Sequence, residues 1–107
     1  MLNLKNLSKS SIFTQAYIFF KLKKALEKTF EENYPNLLEN LKISQINIQK
    51  KEVQFILIIC SQNLGFLTWL KIQENEITEL LLAKLSRDSF WESQKSSLKF
   101  KFEVLKK

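Results

Sequence analysis

This sequence predicts an α+β fold, a two-layer sandwich with elements in the order helix, strand, strand, helix, strand, and three observations carry that expectation. Apolar residues between Ile12 and Phe30 recur at three- and four-residue steps, the period of a helix with one buried face. The C-terminal stretch "LKFKFEV" alternates apolar and charged residues, the period of a strand with one buried face, and "VQFILIIC" is apolar on both parities, as a central strand requires. A single Gly and a single Pro among 107 residues leave little composition for long loops, so most of the chain belongs to regular elements joined by short connections.

The first helix is expected from Ser11, with Ser10 or Ser11 as its N-cap and Ile12, Ala16, Phe19, Leu22, Leu26 and Phe30 as its inner stripe. Residues 1–10 are then a candidate flexible N-terminal segment of a single domain spanning 1–107. Pro35 disfavours helical geometry at Tyr34 and suits the first turn of a second short helical piece, "PNLLENL", so the helix breaks near Asn33. In "KISQINIQ", Ile43 falls on one parity and Ile46 and Ile48 on the other, which means that pairing starts late or passes a bulge. "QKKE" reads as a tight hairpin turn into "VQFILIIC", the strand expected to be most buried. "SQN" caps the next helix, whose core stripe is Leu67, Leu70, Ile77, Leu81 and Leu85, running to about Ser86. In the last strand Leu98, Phe100, Phe102 and Val104 face the helices. The long helical connection before it allows it to run parallel to a hairpin strand.

Composition excludes more functions than it suggests. There is no His, one Cys (Cys60) and Asp88 is the single Asp, so the usual zinc clusters, nucleophile–base pairs and internal disulfides cannot be assembled. Gly65 stands alone, which removes the glycine-rich phosphate loops. A non-enzymatic protein without cofactor or metal is expected. Cys60 lies in an apolar run and reads as a buried small hydrophobe of a reducing compartment; with no long apolar span and no signal-peptide pattern, a cytoplasmic protein without membrane contact follows.

The net charge of +6 is unevenly placed. Residues 1–30 hold six lysines against one glutamate and residues 94–107 hold five against one, while the middle of the chain is slightly acidic. Lys21, Lys23, Lys24 and Lys28 on the first helix, with Lys95, Lys99, Lys101, Lys106 and Lys107 at the C-terminus, are therefore the candidate nucleic-acid-binding residues, since each lysine that neutralises a phosphate releases counterions. The competing explanations are a solvated helix face with i,i+3 and i,i+4 ion pairs and an edge strand protected by lysine. One continuous patch requires both chain ends on one side of the fold. Trp69 beside the core stripe is expected to pack, and Glu74, Glu76 and Glu79 form a solvated helix start. Phe90 and Trp91, in the polar connection "RDSFWESQKS", are candidate partner-binding residues.

The element order α-β-β-α-β resembles a KH-like fold. More narrowly, residues 20–104, through "LLENLKISQINIQ", "KKEVQFILIICSQNLGFLTWLKIQENEITELLLAKL" and "LKFKFEV", resemble the KH-like domain of the DciA-type helicase operator family. A charged turn leads into an apolar strand, a polar break follows, and "SQNLGFLTWL" opens a helix with Trp69 where many members carry Trp. The Trp and Gly that many members show at the end of the first helical region are replaced here by "FEENYPNLL". The resemblance implies a DNA-binding accessory protein of DNA replication, with the replicative helicase as partner in helicase loading. RNA clamping through a GXXG loop is excluded by the lone Gly65. The alternative is a protein-interaction adaptor whose lysines serve solubility.

Overall fold

A computed structural model describes residues 3–52, 54–87 and 97–105, with side chains from residue 16 onward within those ranges. Helix α1 (Asn3–Asn33) is followed by a single 3-10 turn (Pro35–Leu37), helix α2 (Leu38–Ile43), strands β1 (Gln45–Lys51) and β2 (Gln54–Ser61), helix α3 (Leu64–Leu85) and strand β3 (Ser97–Val104). The sheet order is β1-β2-β3, with β1 antiparallel and β3 parallel to the central β2. This is the expected α+β order, a mixed three-stranded sheet with its helices.

Helix α1 begins at Asn3, eight residues before the expected start at Ser11. Serine caps helices but is also tolerated inside them, and Leu and Lys in "NLKNLSK" propagate a helix well. At the other end, the Tyr34 N–H donates to the Phe30 carbonyl at 2.7 Å before Pro35 opens the 3-10 turn, which fixes the break where Pro35 places it. The inner face of α1 is built on Ile18, Leu22, Leu26, Thr29 and Phe30. Phe19 is half-buried and Ala16 is exposed, so the stripe is shifted by part of a turn from the expected one. Thr29 is buried without cost because its hydroxyl donates to the Ala25 carbonyl at 2.8 Å.

Pairing in the hairpin starts at Gln45 opposite Cys60 and runs to Lys51 opposite Gln54. Ile43 closes α2, which explains its parity. Lys50 and Lys51 belong to β1, so the connection is two residues long and begins only at Glu52, the last residue of "QKKE", which takes φ 56. On β2 the helix-facing Phe55, Leu57 and Ile59 have no exposed surface, and on the other face Ile58 and Cys60 are buried as well. The central strand is thus covered on both parities, as its composition requires.

Asn63 caps α3, its side chain accepting from the Phe66 N–H at 3.0 Å, and a Cβ on Gly65 would come within 3.3 Å of that cap oxygen. Phe66, Leu67, Leu70, Ile77, Leu81 and Leu85 of α3 are buried. Phe100 of β3 is buried and Phe102 half-buried against the same core, their rings stacked with centroids 5.9 Å apart. Val104 departs from the expected stripe and is 52% exposed, since it pairs with Ser61 at the last rung of the sheet.

Candidate nucleic-acid interface

Helix α1 lays one face on the core, and the lysines occupy the rest of its circumference. With Leu22 and Leu26 inward, the 100° step per residue turns Lys24 to solvent, Lys21 and Lys28 toward α3, and Lys23 toward β1. Lys21, Lys24 and Lys28 line one groove with Lys84 and Leu85 of α3, a space of about 300 Å³. Lys23 lies on the other flank, in a groove with Phe19, Phe20, Ile46 and Ile48.

Two aromatic side chains outside the expected inner stripe of α1 stand among these lysines. Tyr17 is 44% and Phe20 58% exposed. The Lys21 ammonium lies 5.4 Å from the Tyr17 ring centroid, and the Lys24 ammonium 5.6 Å from that of Phe20. Each pair is an aromatic residue followed by lysine at i+4, the spacing at which helix neighbours meet and a cation reaches a ring face. The signal was present in "AYIFF": a helix with one buried face cannot bury five consecutive apolar residues, so some of them must face water.

Part of the positive charge is balanced within the fold. Lys28 pairs with Glu31 at 3.3 Å, and Lys84 donates to Glu32 at 2.6 Å. The hydrogen bond from Lys84 holds the Glu32 carboxyl below its ordinary value, aided by the charges of Lys84, Lys28 and Arg87. Lys101 on β3 pairs with Glu103 at 3.3 Å.

Lys99 and Lys101 do not join the α1 group. They alternate with Phe100, which is buried under the helices, and lie beside Ile56 and Ile58 on the face of the sheet turned away from them. The structure therefore brings together Lys21, Lys24 and Lys28, sets Lys23 on the opposite flank of the same helix, and puts Lys99 and Lys101 on the opposite side of the sheet. Lys95, Lys106 and Lys107, with Phe90 and Trp91, lie outside the described residues.

Trp69 is half-buried in an aromatic cluster with Phe30, Tyr34 and Phe66; its ring meets that of Tyr34 edge-on at 4.9 Å. It packs, as expected, and is not available as a stacking platform. Glu76 accepts a hydrogen bond from the Tyr34 hydroxyl, which ties the acidic stretch of α3 to the end of α1. Burial, then that hydrogen bond and the Glu76 charge, push the Tyr34 phenol up to about 12. Among the described residues there is no group of acidic or cysteine side chains able to hold a metal ion, and no helix long and apolar enough to cross a membrane.

Comparison of the chain with models of protein families, with curated proteins and with solved structures gives no match.

Proposed function

We propose that this chain is a non-enzymatic, nucleic-acid-binding accessory protein that uses the outward face of α1. The observation that carries the reading is the repeated aromatic–lysine pair, Tyr17 with Lys21 and Phe20 with Lys24, on the same helix face as Lys28. Single-strand binders combine cations that follow the phosphates with aromatic faces on which bases stack without regard to sequence. Both components stand here on one rigid helix, about one turn apart. When the Lys24 ammonium leaves the Phe20 ring for a phosphate, that ring is open to a base.

With roughly three phosphates engaged, affinity for a single strand is expected to fall about twentyfold between roughly 50 and 200 mM salt. Phe20→Ala is expected to weaken binding by about 1–3 kcal/mol, the contribution of one base stacked on an aromatic ring. Titration of a labelled single-stranded oligonucleotide by fluorescence anisotropy reads both. Binding insensitive to salt, or to the loss of Phe20, would contradict the reading. Service to a replicative helicase, which the resemblance to the DciA-type family implies, belongs to the same proposal and is tested by co-sedimentation with that helicase. The adaptor reading draws on a different feature, the open edge of β1.

A further inference from the structure

Strand β1 is one edge of the sheet, and among the described residues no strand pairs with its outer side. Its first five residues, "QINIQ", carry no charge, whereas the opposite edge strand, β3, carries Lys99, Lys101 and Glu103. Sheet edges are commonly kept from pairing by charge, proline or a bulge, and β1 shows none of these over Gln45–Gln49. Beside it runs a groove of about 360 Å³ lined by Phe19, Phe20, Lys23, Ile46, Asn47 and Ile48. Ile46 and Ile48 project to the helix side of the sheet, level with Ile59 and Leu57, so alternate residues of an added strand would reach the same apolar groove. Lys23 stands in that groove, and Lys50 follows on the same side of β1, its ammonium 5.7 Å from the Phe55 ring centroid.

From this we infer that β1 accepts an extended acidic segment of a partner protein as a fourth strand. Main-chain hydrogen bonds to the edge supply affinity, the groove takes two apolar side chains two residues apart, and Lys23 and Lys50 select acidic residues flanking them. Charge argues against a second copy as the occupant. Two-fold pairing through β1 would bring Lys23 and Lys50 of both copies to a single seam, four lysines against the two Glu27 carboxylates beside Lys23. The inference goes beyond the nucleic-acid reading and does not rest on it.

The test uses the full chain and a capped heptapeptide, ETVTVTE. In either strand direction it sets a glutamate beside Lys50 and valines beside Ile48 and Ile46. Backbone-amide NMR is expected to show shifts confined to residues 45–51 and 19–23. A peptide with lysine in place of both glutamates, and one with proline at its centre, are expected not to bind. Lys23→Glu combined with Lys50→Glu should weaken the acidic peptide at least about tenfold, because two attractions become repulsions. Shifts elsewhere, equal binding of the proline or lysine peptide, or a dimer in sedimentation whose β1 amides are protected without peptide would each overturn the inference. No oligonucleotide enters the experiment, so its failure is distinct from a failure of nucleic-acid binding.

Discussion

At the scale of single residues, Tyr34 reports most directly on how α1 and α3 are joined. Its phenol is held neutral by burial and by the Glu76 carboxylate, which raise it from 10.0 to about 12. A raised acid contributes stability that is fully present below its unfolded value and is lost as pH rises through the folded one. The stability that Tyr34 contributes should therefore be constant below about pH 10 and disappear toward about pH 12. Tyr34→Phe is expected to remove one phenol titrating near 12 in the ultraviolet spectrum, and to cost about 0.5–1.5 kcal/mol at neutral pH for the lost hydrogen bond. Leu22, with no exposed surface, belongs to the same interior. Leu22→Ala leaves a cavity between α1 and the core, and a loss of about 2–5 kcal/mol in urea denaturation is expected. Cys60 is buried on the far side of the sheet, where burial and then the neighbouring Glu103 carboxylate push its thiol up, so slow reaction with thiol reagents in the folded state is expected.

Among the elements, the β1–β2 hairpin carries a local strain that a substitution can relieve. Glu52 takes φ 56, a left-handed conformation that costs a residue with a Cβ about 1–2 kcal/mol, and glycine adopts it freely at an entropic cost of about 0.5–1. Glu52→Gly is expected to raise the urea midpoint, by about 0.5–1 kcal/mol of net stability. The same residue explains the position of the turn: a left-handed position without Gly or Asn gives no signal, so the sequence points to a turn over "QKKE" while the chain turns only beyond Lys51. Elements whose burial sets a clean period were legible. β3 alternates, α3 repeats Leu67, Leu70, Ile77, Leu81 and Leu85, and Pro35 marks a break by its own stereochemistry. The start of α1 was not, because Ser10 and Ser11 satisfy the rules for a cap and for a tolerated interior residue alike. Of the candidate site, the lysines of α1 were legible as a group. Tyr17 and Phe20 were not, since "AYIFF" does not show on its face which rings the core takes.

For the molecule as a whole, the arrangement of charge decides how the net +6 can be used. The chain is basic at both ends, but the sheet separates Lys21, Lys24 and Lys28 on α1 from Lys99 and Lys101 on β3. Lys101 has Glu103 beside it, and charge of either sign protects an edge. Phosphate binding needs the positive sign, and a base needs a ring within reach; on the described surface α1 offers both. Charge reversal on the two faces separates these roles. The measurement is titration of one labelled single-stranded oligonucleotide, at low salt, against the parent chain, against Lys21→Glu, Lys24→Glu and Lys28→Glu combined, and against Lys99→Glu and Lys101→Glu combined. The helix variant is expected to lose at least about tenfold in affinity, as three phosphate contacts become repulsions, with the strand variant staying within about twofold of the parent. Failure of the parent to bind at low salt, or a greater loss in the strand variant than in the helix variant, would contradict nucleic-acid binding through α1.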